Sequence, residues 1–536
     1  MGSLAVRARI EPQPGSASVR LDDPLTRACA SGSTFARERF AVLWSDGAAL
    51  SALAREKLTP LPAALVEELR AYHGRLGAPP ASLAALDRLA RGEATCTIAG
   101  QQPGPLGGPL YALHKTASAV GIAARAAVRT GIPCVPMFWT HSEDSDFAEI
   151  RSATVSDATL VLHDLALPES LHRDGALVGG LPLAPLAALT EQALACWEGR
   201  PGRGAVERLV RSTLARARDL GEAQSALMLA MFGDRGLVVV DPRLPAFRVA
   251  ARGVIDRYLA EASGLAALAR TAGAVLAGRI GRVPLADQAL DSFVFAIDDG
   301  VRRKLSVDEA RARPGTLSPS VALRPVVQDA VLPTVAMACG PGELAYLAQL
   351  REVFEALEVR AAAPVPRFAA TWLPPAAVSL LDASGADPWE AVAATDAVLK
   401  QHAERQVPAE LRAELTAARA ELATRLERFA GASTRVDASL PQMVESARGK
   451  VDYQFARLLE GLTAKVRHRL ERERPEWVRL RNYLSPGDRL QERRLSSLEP
   501  LAWRGLEVAT ELCDLAEEHA GALEGGVWRH YLVELG

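Results

Sequence analysis

Most side chains able to do chemistry here sit in a few short loops. His141, Glu143, Asp144 and Asp146 fall within WTHSEDSDF. An imidazole and three carboxylates in one loop are candidate general bases and candidate groups for orienting an amine. The competing reading is a capped, solvated acidic turn. An oxygen-rich cluster also suits magnesium, although the spacing satisfies no metal-ligand motif. Upstream, Gly100, Gln101 and Gln102 open the glycine-rich stretch GQQPGPLGGP. Paired amides beside exposed backbone N–H groups suit hydroxyls and carboxylates, unless they are ordinary loop polarity. His114 and Lys115 follow near a helix start, within reach of a ligand in that loop; a snorkelling surface lysine is the alternative. In RPVVQD, Arg324 and Gln328 share a helical face, where the arginine could fork onto a carboxylate or pair structurally with Asp329. Gly340, Gly342 and Glu343 begin a further helix, for which a simple N-cap without ligand is the ordinary outcome.

These loops need elements to position them. Residues 95–99 are a short β-prone apolar run that stops at Gly100. Pro109 suits the first turn of a helix running to about Thr130, which Gly131 ends. Residues 133–139 then read as a second buried strand. Strand, glycine loop, helix and strand place both polar loops at the carboxyl ends of strands, where open α/β sheets bind ligands. Backbone N–H groups at the helix start would point at an anion in the loop. Residues 333–339, Gly340-Pro341-Gly342 and a helix from Glu343 repeat the pattern. Two such ends facing one cleft suit a ligand with more than one negative charge.

Composition narrows the function classes. With 536 residues, 49% of them apolar, the chain can bury a large core divided over roughly three domains. Lysine and arginine number 62 against 64 acids, which gives no support to a nucleic-acid binder. MGSLAVRARIEPQPG lacks the apolar core of a secretory leader, and no uninterrupted apolar run reaches the roughly 18 residues of a membrane span. Six scattered cysteines without a CxxC pair read as reduced, mostly buried thiols of a cytoplasmic protein, and disfavour a cysteine-rich zinc site.

Along the chain, residues 1–90 are expected to be mainly helical, with helices over 34–44, over LPAALVEELRAYHGRLG and over ASLAALDRLARG. Residues 91–387 hold the core, with a helical insertion near 160–233, a strand over 237–240, a long helix from RVAARG and a hairpin with Asp299-Gly300 at its tip. Over 388–475 the composition turns to Ala, Glu, Leu and Arg. Leu415, Leu422 and Phe429 recur every seven residues beside Leu411, Ala418 and Leu426. Val444, Val451 and Leu458 repeat the period with Phe455, Leu462 and Val466. That is the pattern of a helical hairpin or coiled coil, or else of two amphipathic helices on a globular core. Residues 476–536 read as a helical segment packing on the core.

Four stretches together resemble one family: TIAGQQPGPLGGPLYALHK, FWTHSEDSDFAEI, LSPSVALRPVVQDAVLPTVAMACGPGELAYLAQL and GDRLQERRL. They are similar to the BshC family, the cysteine ligases of bacillithiol biosynthesis. The likeness runs from about Arg91 to the C-terminus and is faint over the first 90 residues and the helical insertion. It implies an α/β fold with a Rossmann-like parallel-sheet core, helical connecting-peptide insertions like those of class I aminoacyl-tRNA synthetases, and an α-helical coiled-coil arm that forms a homodimer. It also implies an activity, the last step of bacillithiol formation, in which L-cysteine is joined to the amine of glucosaminyl-malate. The partners are then small-molecule substrates, with no nucleic acid and no membrane. Two departures stand out. The HIGH and KMSKS signatures are not evident, with only His114 and Lys115 near the place of the first, and the cysteine ligands of a thiol-holding zinc are missing. ATP and magnesium remain cofactors that the fold analogy suggests and no motif shows. The alternatives are a related aminoacyl-transfer ligase making another low-molecular-weight thiol, and a non-catalytic nucleotide-binding dimer.

Overall fold

Five short apolar runs pair side by side in parallel to form the central sheet. They are β1 (Thr95–Gln101), β2 (Cys134–Thr140), β3 (Val238–Val240), β4 (Thr334–Cys339) and β5 (Ala363–Pro366). The computed structural model describes residues 4–12, 23–313, 317–387, 390, 392 and 395–536; position 388, where the change of composition is expected to begin the arm, lies outside them. Spatial order is β5-β4-β1-β2-β3, with every pairing parallel. Nearly all of these residues are buried, as a sheet covered on both faces requires. The chain winds outward from β1 through β2 to β3 and returns on the other side of β1 to lay down β4. The carboxyl ends of β1 and β4 therefore flank the switch point, the usual ligand crevice of such sheets.

The covering helices are α1 (Leu110–Thr130), α2 (Leu220–Phe232), α3 (Pro245–Ile280), α4 (Arg324–Val331) and α5 (Pro341–Gln349). Gly131 ends α1 in the left-handed region, at φ 70°, as its position predicts. Buried over nearly all of its first four turns, α1 packs on the helix Glu507–Glu524. Gly121 permits the close approach, since a methyl group there would sit 2.4 Å from the backbone nitrogen of Glu517. Helix α3 is long and apolar enough, by composition, to cross a membrane. Its buried stripe from Phe247 to Leu276 packs in the core with Val326, Leu344 and Phe354. The insertion expected near 160–233 contributes three helices, of which α2 is the last, and is entered through a hairpin of strands Ser152–Ser156 and Leu162–Ala166 that begins before it. A second hairpin joins Val294–Asp298 to Val301–Lys304 through Asp299 and Gly300, both with positive φ.

Some elements differ from the sequence expectation. The helix expected over 34–44 stops at Arg39, because Phe40, Val42, Leu43 and Trp44 are drawn into the core along a bent, non-helical path. The ends of the chain are not all helix. Ala5–Ile10 pairs antiparallel with His530–Glu534, which lies parallel to Ala369–Leu373. All six cysteines are unpaired thiols, buried or half-buried.

Ala376–Asp488 forms a second compact unit. In it α6 (Ala409–Ser433) and α7 (Leu440–Glu473) make a hairpin tied by the ion pairs Arg419–Asp452 and Arg448–Glu427. Leu415, Leu422, Leu426, Val451, Phe455 and Leu462 are half-buried, while Val444 and Val466 are buried. Phe429 and Leu458, which the heptads place in the seam, are instead 63% and 61% exposed. A straight helix drifts in phase against a strict seven-residue repeat, so not every heptad position meets the facing helix.

Charge also holds the first unit together. Glu222, at the start of α2, is 2% exposed and accepts from Arg75 Nη1 at 2.7 Å and Arg218 Nε at 2.8 Å. Burial alone would raise its pKa, but the bonds from Arg218 and Arg75 prevail and hold it at about 2. A carboxyl held below its ordinary value stabilises the fold at neutral pH and loses that contribution as pH falls from the usual carboxylate range towards 2. Glu222→Gln should therefore lower the melting temperature at pH 7, and the gap from wild type should close in acid; a gap independent of pH would contradict this.

Candidate active site

The cleft at the switch point has a volume of about 360 Å³. From β1 come Gln101 and Gln102. Gln101 Nε2 donates to the hydroxyl of Tyr111 and to Gln102 Oε1, each at 2.9 Å. Gln102 Nε2 in turn donates to Glu149 Oε2 at 2.7 Å and to Asp144 Oδ2 at 3.2 Å. One amide thus holds two carboxylates side by side. Asp144 Oδ1 accepts the backbone N–H groups of Ser145 and Asp146, which fixes the loop after β2.

Lys115, one turn into α1, is buried under the cleft floor. Its Nζ donates to the Gly100 carbonyl at 3.0 Å and to Gln101 Oε1 at 3.3 Å, and pairs with Glu343 Oε2 at 2.9 Å. Glu343 Oε2 also caps the Gly340 N–H at 2.8 Å. Across the cleft, Arg324 Nη1 lies 3.0 Å from His141 Nδ1. Burial, then the positive charges of Arg324, Lys115 and Arg302, push the His141 pKa well below its ordinary value. The remaining wall is basic. Arg367 is 6% exposed and grips Glu492 with both terminal nitrogens, while its Nε has no hydrogen-bond partner among the described residues. Arg493 reaches the same wall from the C-terminal segment.

Gln101, Gln102, Lys115, His141, Asp144, Arg324, Gly340, Gly342 and Glu343 thus meet in one cleft, with Gly100 directly beneath. Other expected residues point elsewhere. His114 is fully buried between Glu492 and the Trp372 indole. Glu143 pairs with Arg248 and accepts from Ser318 behind the loop, and Asp146 caps the short helix Phe147–Ile150. Gln328 donates to Asp329, whose other oxygen accepts the Ala362 N–H. Asp329 borders a separate cavity of about 450 Å³ lined by Arg39, Glu56 and Arg351. Tyr111, Glu149, Tyr346, Arg367 and Arg493 line the cleft without having been singled out. Tyr111, Glu149, Tyr346 and Arg493 do lie inside the motif stretches GPLY, FAEI, GPGELAY and QERRL.

The anion cradle expected of the glycine loop is not formed. Leu106, Gly107 and Gly108 take positive φ and turn the loop away from the cleft. There Ser496 Oγ donates to the Leu106 carbonyl, and Leu110 N–H, at the start of α1, donates to Leu495. The start of α5 is capped by its own Glu343, whose carboxylate would repel a phosphate. Neither helix start fits a triphosphate. Asp144 and Glu149 are two carboxylates, the complement magnesium commonly takes beside substrate phosphates. Among the described residues no group of three or more His, Cys, Asp or Glu side chains could hold a metal ion by itself.

Comparison with known proteins agrees with this architecture. The family model for the N-terminal Rossmann-like domain of bacillithiol biosynthesis BshC matches residues 48–311 and 303–368, and that for the BshC C-terminal coiled-coil domain matches 370–524. A relative from Koribacter versatilis (strain Ellin345), named "Putative cysteine ligase BshC", is 31% identical over 470 residues, 84% of this chain and 86% of the relative. Relatives of the same name from Solibacter usitatus and Symbiobacterium thermophilum are 29% and 27% identical, covering 81% and 88% of this chain and 84% and 90% of their own. With both domain models matched in order over most of its length, the chain belongs to the BshC family of bacillithiol biosynthesis.

Proposed function

We propose that the protein is a ligase that joins the carboxyl group of L-cysteine to the amine of glucosaminyl-malate, completing bacillithiol. The observation that carries this reading is the division of charge across the cleft. Asp144 and Glu149 stand together on the Gln102 amide, and Arg367 and Arg493 line the same cleft. An amino-sugar joined to a dicarboxylic acid has matching poles. Its ammonium meets the two carboxylates and its malate carboxylates meet the guanidinium groups, while Gln101 offers an amide to sugar hydroxyls. Amide formation needs the amine neutral, and Asp144, beside that amine, is placed to take its proton. ATP with magnesium enters as a co-substrate that activates the cysteine carboxyl, not as a resident group. The enzyme works in the cytoplasm as a homodimer joined through the coiled-coil arm.

The test is a mass-spectrometric assay of purified protein with cysteine and glucosaminyl-malate, with and without ATP and magnesium. A product of bacillithiol mass that needs ATP is the expected result. No product under either condition, or product only with another amine acceptor, overturns the assignment.

A further inference from the structure

We propose that His141 serves the amide-forming step as a fixed hydrogen-bond donor through Nε2–H, and not as its base; this rests on the ligase reading above. The tautomer follows from donor chemistry. A guanidinium has only donors, so at 3.0 Å from Arg324 Nη1 the Nδ1 atom of His141 must be the acceptor. A neutral imidazole whose Nδ1 accepts carries its proton on Nε2. Burial and the three surrounding cations, Arg324, Lys115 and Arg302, oppose a second proton on the ring. With the Nδ1 lone pair engaged by Arg324 and Nε2 already protonated, the ring has no basic nitrogen to offer an amine.

Among the described residues no protein group hydrogen-bonds Nε2, and the ring lines the cleft. It lies close over Gly100, where a methyl group would stand 2.5 Å from Nε2. Gly100 is paired to Trp139 in the β1–β2 ladder, and His141 N–H donates to the Gln101 carbonyl, so the ring is set by two buried strands. A preset donor in a partly dry site is the arrangement that stabilises charge developing on a carbonyl oxygen. The Arg324 charge on the opposite nitrogen polarises the ring and strengthens that donation.

The step then balances as follows. The amine nitrogen attacks the carboxyl carbon of cysteine, which is activated as a mixed anhydride with the α-phosphate of a nucleoside triphosphate, pyrophosphate having left when that anhydride formed. A C–N bond forms, and the C=O π pair moves onto oxygen, where Nε2–H of His141 donates to it. The amine proton passes to Asp144. The oxyanion collapses and expels the phosphate ester with its electron pair. His141 keeps its proton throughout.

Two variants and a spectrum test this. His141→Asn keeps an acceptor for Arg324 but is too short to donate where Nε2 does; turnover should fall about 100- to 1000-fold, the usual loss of one oxyanion donor. His141→Gln reaches that place with an amide N–H and should recover a substantial part of the rate. Nitrogen-15 NMR of histidine-labelled protein, assigned by the resonance missing in His141→Asn, should show a neutral ring protonated at Nε2. That resonance should move on adding cysteinyl sulfamoyl adenosine, a stable acyl-adenylate mimic. An Nδ1–H tautomer, an imidazolium, a resonance unmoved by the mimic, or an Asn variant as active as wild type would each overturn the proposal. Wild-type protein that makes no product sinks the ligase reading alone, and the spectra still decide the donor.

Discussion

Replacing Asp144 by asparagine should lower turnover by about 10²- to 10⁴-fold, the range lost with a general base, while leaving the fold intact. The structural work of Asp144 is done mostly by Oδ1, which accepts the N–H groups of Ser145 and Asp146. Asparagine keeps that oxygen. What it loses is the charge and the second acceptor, Oδ2, which takes the Gln102 amide at 3.2 Å. Gln102 stays anchored by Glu149 at 2.7 Å, so the loop should hold its place. Glu149→Gln provides the contrast. Glu149 is held by the same amide but stands farther along the chain, on the short helix after the loop, and should affect acceptor binding more than the chemical step. The expected split is a kcat defect for Asp144→Asn and a KM defect for Glu149→Gln, read by steady-state kinetics with unchanged melting temperatures. Equal KM defects with kcat untouched in both would show that neither carboxylate takes the proton.

The sequence carried the central sheet well, for a local reason. Each of β1, β2 and β4 is an apolar run closed by glycine, proline or a polar loop, so strand and loop can be read without knowing a partner. The cleft was legible to the same extent. Gln101, Gln102, Asp144 and Gly340 are attached to strand ends, and a parallel sheet must bring those ends together. Residues whose role depends on a distant partner were not legible. Nothing near Glu143 announces that Arg248 will claim it, or near His114 that Glu492 will. Arg367 is a lone arginine in PVPRFAAT, and becomes part of the cleft only because β5 lies beside β4. The strand Ala5–Ile10 finds its partner at the other end of the chain, and all its residues but Ile10 are at least partly exposed, so its local pattern is weak. The glycine loop misled for a related reason. Its glycines serve positive φ and a tight fit against the C-terminal segment, a demand that looks identical to a phosphate loop in sequence.

Glu492→Ala should cost about 3–5 kcal/mol of stability, because it strands a buried guanidinium. Glu492 is 2% exposed and takes both terminal nitrogens of Arg367. It also accepts a hydrogen bond from His114: the Trp372 indole can only donate, so His114 Nε2 accepts and Nδ1–H faces Glu492 Oε2 at 2.9 Å. Burial acts to raise the Glu492 pKa, but the Arg367 charge and these bonds overcome it and hold the carboxyl well below its ordinary value. The network's stabilisation is therefore present at neutral pH and lost in acid, where Glu492 takes up a proton. Arg367 cannot follow by giving one up, so the alanine variant leaves a buried guanidinium without the carboxylate that grips both its terminal nitrogens. The double variant Glu492→Met, Arg367→Met removes both charges and fills the space with apolar volume, and should regain most of the lost stability. It should not regain turnover, since Arg367 is also half of the basic wall that meets the acceptor's carboxylates. Denaturant midpoints and acceptor KM, measured on the single and double variants, separate the two roles. If the double variant were as unstable as Glu492→Ala, the ion pair would not be what holds this wall. If it were stable and fully active, the wall would not read the substrate, and the charge division across the cleft would lose its meaning.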